Sequence, residues 1–301
     1  MMKFRYLGNP SAAFRISGPD ANTFLGGQFT QDLKISFGRV AYGLWLSQKG
    51  KVVAESEVAR FSAEEHLVVS TTCGADLLRR RLEDYLIADE VDIQDQRLAW
   101  EAFSLWGEGA AERVAAWFPG VGKDGTFGRK DEALLLPERG GGFGRFLLLA
   151  PSGGAETWRA QLAEAGAREA TEAEEARDRI LAGLPAVPAD IGPDDLPNEG
   201  GLETIAISYT KGCYLGQEVM SRLKNLGQVR RRLLRVRGVG PAPAPRTALF
   251  QGETRVGETR TAAADGDGWV GFALVSLVLH RPGQPATLGA GGPAVEVEAH
   301  G

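Results

Sequence analysis

The sequence predicts an α+β protein in which two mixed units with antiparallel sheets precede a small all-β domain. Three observations point there: many short runs with strand character, amphipathic helical segments set between them, and a C-terminal part with strand and turn signals but no helical period. With 301 residues, 43% of them hydrophobic, the chain is long enough for two or three domains, each with its own core.

The elements follow in order. "AFRIS" at 13–17 reads as a strand, and "DANTFLGGQFT" as a short helix that Asp20 could cap. "AYGLWLSQ", "GKVVAESEVARF" and "EEHLVVSTT" read as strands, the first two joined as a hairpin by the turn "QKGK". "ADLLRRRLEDYLIADEV" then sets Leu77, Leu78, Leu82, Tyr85 and Leu86 at helical spacing against a charged face. The order recurs in weaker form. "WEAFSLWG" is a strand, "EGAAERVAAWF" a helix, "DEALLLPE" and "GRFLLLAPS" strands, and "AETWRAQLAEAG" a helix.

"TEAEEARDRILAGLP" predicts a charged helix that stops at Gly183 and Pro185, and "AVPADIGPDDLPNEGGLE" is too rich in Pro, Gly and Asp for regular structure. In "TKGCYLGQEVMSRLKNLG" the spacing of Val219, Leu223 and Leu226 predicts a short helix from near Gly216, with Glu218 and Arg222 paired one turn apart. "RRRLLRVRGV", "TALFQGETRVGETRTA", "WVGFALVSLVL" and "PAVEVEA" complete a β domain. The expected domains are residues 1–98, 99–232 and 233–301.

Charge narrows the function classes. The chain carries 34 basic and 39 acidic residues, a net charge of −5, so no global field draws it to nucleic acid or anionic lipid. The N-terminus has no apolar region of the length a secretory signal needs, and the longest apolar run is far short of a membrane span, so a cytoplasmic protein is expected. Cys73 and Cys213 are read as thiols. The three histidines, His66, His280 and His300, lie far apart, so no metal site held by this chain alone is expected.

Chemistry concentrates at Cys213. Lys211 stands two residues before it and a helix N-terminus a few residues after, and both favour thiolate. Gly212 and Gly216 would let a ligand approach the backbone. Local chemistry alone still favours a packed cysteine, because cysteine is among the most buried residue types.

"KGCYLGQE" followed by Arg222 resembles the signature of the YgfZ family of folate-binding proteins, relatives of the aminomethyltransferase of the glycine cleavage system. "FLGGQFTQDL", "QKGKVVAE", "RILAGLPAV", "PNEGGLE" and "GQVRRRLLRV" extend the resemblance over most of the chain. It implies a GcvT-like ring of three domains around a tetrahydrofolate site, and a role in assembling or repairing iron–sulfur clusters on other proteins. It reverses the reading of Cys213, which becomes a reactive thiol or transient cluster ligand, with Lys211 beside it.

The resemblance turns Gln28 and Asp32 toward the folate cavity, against an equal reading as capping or surface residues. Glu199 stands in a loop able to close over a ligand, Tyr209 reads first as core and second as a pterin stack, and Gln217, Glu218 and Arg222 complete the expected folate contacts. The expected partners are folate, in one form with a polyglutamate tail, and iron–sulfur client or assembly proteins. The transferases carry an acidic residue where this chain has Leu181, and an aspartate pair where it has Ala54 and Glu55. Both departures count against glycine cleavage. A folate-dependent aminomethyltransferase or demethylase acting on a small amine is therefore the second reading. A transfer-RNA adaptor is the third, with direct nucleic-acid binding disfavoured. Arg230, Arg231, Arg232, Arg235 and Arg237 form the notable basic cluster, read first as a solvated strand face, then as a site for a folate tail, and last as a nucleic-acid patch.

Overall fold

A computed structural model describes residues 1–122 and 124–298, so His300 lies outside the described residues. The chain divides into two compact units. The first takes residues 1–49, 53–170 and 204–217, and the second residues 50–52, 171–203 and 218 onward.

The first unit begins with β1 (Met2–Gly8), β2 (Ala12–Ser17), α1 (Ala21–Gly26), β3 (Arg39–Leu46), β4 (Val52–Arg60), β5 (Glu65–Ser70), α2 (Ala75–Glu83) and β6 (Asp92–Asp95). It continues through β7 (Trp100–Gly107), α3 (Ala110–Trp117), β8 (Gly128–Lys130), β9 (Ala133–Pro137), β10 (Phe146–Pro151), α4 (Ala155–Glu164) and β11 (Arg168–Glu169). One sheet runs β3-β4-β5-β2-β6 and the other β11-β1-β7-β10-β9-β8.

The sheets pack face to face. Ala13, Val40, Ala59, Leu67 and Val69 from the first meet Ala102, Leu134, Leu136, Leu147 and Leu149 from the second. The opposite face of the six-stranded sheet, with Phe4, Phe103, Leu105, Leu135 and Leu148, is covered by Val114 of α3 and by Trp158 and Leu162 of α4. A sheet covered on both faces explains why β10 reads "FLLLA" without alternation.

Three local readings change. No element is expected before Ala13 from the residue pattern, whereas β1 pairs antiparallel with β7, Phe4 opposite Leu105. Asp20 occupies the N-cap position of α1, but its carboxylate accepts from the Glu90 N–H and leaves the helix uncapped. On α2, Leu77 is largely exposed and the buried face instead includes Arg81 with Leu78 and Leu82.

The second unit holds α5 (Glu172–Leu181), all but the first residue of α7 (Gln217–Leu226) and six strands, while the single turn α6 (Glu203–Ala206) falls in the first unit from Thr204 on. Thr171 and Glu174 close a reciprocal capping box on α5, each satisfying the other's backbone N–H. The strands β12 (Arg231–Val239), β13 (Ala248–Gln251), β14 (Thr254–Asp265), β15 (Gly268–Ser276), β16 (Ala286–Leu288) and β17 (Ala294–Val297) close into a barrel ordered β12-β15-β14-β13-β16-β17. Leu234, Val236, Leu249, Val256, Trp269, Ala273, Val275 and Val295 fill it. Val270 and Phe272, on the other face of β15, pack on Ile180 of α5. The architecture matches the expected α+β class with a closed C-terminal barrel.

The arginine cluster on β12 is largely neutralised. Arg231 pairs with Glu199 and Asp195, Arg232 with Glu203, and Arg235 and Arg237 with Glu298. Each pair spends a cation that a phosphate or glutamate tail would otherwise meet, which favours the structural reading of these arginines.

Candidate functional site

The segment 207–216 contains no helix or strand, yet it is closely held along residues 26–31. Thr30 Oγ1 donates to the Ala206 carbonyl at 2.7 Å, Gln31 Nε2 to the Ile205 carbonyl at 3.2 Å, and the Ser208 N–H to the Thr30 carbonyl at 3.0 Å. Farther on, the Leu215 N–H donates to the Gly27 carbonyl at 3.2 Å. Between these ties, Lys211 Nζ donates to the carbonyls of Gly26 at 2.8 Å, Phe29 at 2.7 Å and Gln31 at 3.0 Å. An ammonium has three donors, and all three are used. They satisfy backbone acceptors where α1 ends, as a cation at a helix C-terminus does. Burial draws the Lys211 ammonium down to about 8, against the opposing charge of Asp32, so at neutral pH it keeps its proton.

The chain that Lys211 anchors then presents Cys213. That thiol is exposed and lines a cleft of about 490 Å³ in the first unit, with Asn22, Thr23, Gly27, Asp32, Lys34, Thr210 and Lys211. Gly216 adopts φ 86°, the left-handed turn that carries the chain into α7. At Gly212 a side chain would meet open space, so the backbone there is approachable. Cys73 contrasts in every respect. It is buried, its sulfur accepts from the Glu55 N–H at 3.4 Å, and burial pushes its thiol pKa up. Of the two sulfurs, Cys213 is the one positioned for chemistry.

The structure gathers some of the expected residues and separates others. Asp32 joins Lys211 and Cys213 in the cleft wall, its Oδ1 accepting from the Lys34 N–H at 2.9 Å. Tyr209 is half-buried on the same segment, close enough to Tyr214 to raise that phenol's pKa in addition to burial. Gln28 is buried, and its Oε1 accepts from Arg81 Nη1 at 2.7 Å. Glu199 lies in the second unit, where one oxygen accepts from the Leu196 N–H and both accept from Arg231, at 2.8 and 3.0 Å. Gln217 donates its N–H to the Tyr214 carbonyl at 3.1 Å at the start of α7, and Glu218 and Arg222 form an exposed pair at 3.0 Å. The sequence reading missed Asn22, Thr23, Lys34 and Thr210. Their only signal was adjacency to "FLGGQF" and "KGC", because cleft lining follows from which segments meet rather than from residue type.

Comparison with known proteins supports the fold. Residues 9–125 match the GCVT N-terminal domain, and residues 230–300 the CAF17 C-terminal β-barrel domain. The chain is 29% identical over 75% of its length to the mitochondrial iron-sulfur cluster assembly factor IBA57 homolog of Cryptococcus neoformans, and spans 64% of that protein. It is 28% identical to human iron-sulfur cluster assembly factor IBA57, covering 87% of this chain and 74% of that one. The tRNA-modifying protein YgfZ of Vibrio vulnificus is 26% identical, with 83% and 74% covered. Glycine cleavage system aminomethyltransferase T from Bartonella henselae superposes with a TM-score of 0.82 at 18% identity, over 99% of this chain and 85% of that one. The chain therefore has the aminomethyltransferase fold, matches GCVT N-terminal and CAF17 barrel domains over residues 9–125 and 230–300, and is similar in sequence to IBA57 and YgfZ proteins.

Proposed function

We propose that this chain is a tetrahydrofolate-binding accessory factor in the assembly or repair of iron–sulfur clusters, with Cys213 as its working thiol. The observation that carries the reading is the exposed Cys213 sulfur at a cleft, on a segment held rigid by Lys211. Support comes from relatives whose names record cluster assembly and tRNA modification. A single thiolate ligates iron or accepts a sulfur atom, but one thiolate cannot retain a cluster. The cluster is cargo, and its other ligands come from a client or assembly protein.

Folate fits the same cleft. Asn22 Oδ1 is buried with no hydrogen-bond partner, and Asp32 stands in the same wall. Both are acceptors, which the amino-pyrimidine edge of a pterin, a set of N–H donors, requires. Lys34 is exposed in that wall and offers a cation to the glutamate tail. Bound tetrahydrofolate would supply a reduced one-carbon carrier. This chain's part is to hold the ring with Asn22 and Asp32 and to keep the thiol accessible. Calorimetric titration with tetrahydrofolate, wild type against Asn22→Leu and Asp32→Asn, tests the ligand, and no binding at millimolar concentration refutes it. For the thiol, full recovery of cluster-dependent enzymes by Cys213→Ser, in cells lacking the wild-type protein, refutes its role.

A further inference from the structure

Away from the cleft, the first unit buries a second polar cluster. Glu55 and Glu57 point inward from β4 beside Tyr42 of β3, each under one tenth exposed. Tyr42 donates its hydroxyl to Glu55 Oε2, and Thr72 Oγ1 donates to Glu55 Oε1 at 3.1 Å. Into this acidic, aromatic recess comes one guanidinium, that of Arg139. Its Nη2 lies 3.2 Å from Glu55 Oε2 and its carbon 5.0 Å from the Tyr42 ring centroid, while its backbone N–H donates to Glu57 Oε1 at 2.7 Å. Glu57 Oε2 is buried and meets no donor.

The segment that delivers Arg139 is unlike the strands it joins. "ERGGGFG" leaves β9 and re-enters at β10, with its base fixed by Glu138, whose N–H donates to the Arg145 carbonyl and whose carboxylate accepts from Arg145 Nε at 3.0 Å. Between those pins Arg139, Gly140 and Gly141 have φ of 50°, 76° and 83°. That conformation suits the glycines and strains an arginine by about 1 kcal/mol. Side chains at Gly140, Gly142 and Gly144 would meet nothing within 4 Å, so the tip is open to movement. A strained backbone with an open tip, held at its inner end by Arg139 through its guanidinium and its backbone N–H, is more readily released than a packed strand.

We propose that the recess formed by Glu55, Glu57 and Tyr42 is a binding site for a guanidinium-bearing ligand, and that Arg139 is its internal occupant, displaced when the ligand arrives. The planar guanidinium meets the Glu55 carboxylate on one side and the Tyr42 ring face on another. An ammonium cannot reproduce that planar set of contacts. The site is distinct from the Cys213 cleft and does not depend on the folate reading.

The test uses the full chain with Arg139→Ala, titrated calorimetrically with ethylguanidinium chloride, ethylammonium chloride as the control. Saturable binding of ethylguanidinium is expected, roughly tenfold tighter than in the wild type, where Arg139 competes, and lost in Arg139→Ala/Glu55→Gln. Equal binding in all three proteins, or equal affinity for the ammonium, overturns the proposal. Should the variant not fold, hydrogen exchange in the wild type decides. Ethylguanidinium should speed exchange at the Arg139 amide relative to ethylammonium, and unchanged exchange overturns the displacement.

Discussion

Replacing Lys211 by methionine keeps the length and the apolar stem of the side chain and removes only the ammonium. In the native structure that group satisfies the carbonyls of Gly26, Phe29 and Gln31 at 2.7–3.0 Å, and the chain around it is half-buried. A hydrogen bond to a charged group contributes roughly 1.5–3 kcal/mol, and leaving a buried acceptor unpaired costs a similar amount. Three bonds to one ammonium share a single desolvation cost, and water reaches part of the site, so their sum stays well below three separate bonds. We expect Lys211→Met to lower unfolding free energy by ~2–4 kcal/mol at pH 7. Urea unfolding of both proteins measures it directly. Lys211→Arg should recover little, because a planar fork cannot direct three donors to three carbonyls converging on one point. A loss below about 0.5 kcal/mol, the range of an ordinary surface change, would refute the anchoring role and with it the ordering of the Cys213 segment.

Four further outcomes are expected. His66 is fully buried with neither ring nitrogen hydrogen-bonded, and burial, helped by Arg60, lowers its pKa to about 4. The folded state therefore binds fewer protons there than the unfolded chain, so stability present above pH 6.5 is lost by ~3 kcal/mol as pH falls toward 4, and His66→Leu should flatten that part of the stability profile. Burial raises Glu57 to about 8, with Glu138 and Glu55 adding to it and Arg139 opposing it. Its sign is opposite: the contribution is whole below about 4.5 and falls away as pH rises through 8, a slope that Glu57→Gln should remove in denaturant titrations at stepped pH. Iodoacetamide should label Cys213 in the folded protein while Cys73 stays unmodified until unfolding, and equal labelling by mass spectrometry would contradict their burial. Leu148→Ala, in the core between the six-stranded sheet and its helices, should cost ~2–5 kcal/mol by thermal or chemical unfolding.

Much of this molecule was legible from residue order. Strand-like runs placed most strands, though not β1, β6, β8, β11 or β16, the charged run and Gly183 marked α5, and "KGCYLGQE" singled out the thiol that proves exposed. These features are encoded within a few residues, where backbone propensity and side-chain spacing act. The partners of β1, the three carbonyls under Lys211, the acids that pair with the β12 arginines and the recess around Arg139 were not legible. Each joins segments tens to hundreds of residues apart, 185 in the case of Lys211 and Gly26. Many apolar strands could accept β1, and many acids could pair an arginine. Only simultaneous packing selects among them, since an alternative partner would leave a buried polar group unmet or a cavity unfilled. The sequence determined which elements form and which sulfur to watch, and the tertiary structure decided which side chains are already spent and which remain for chemistry.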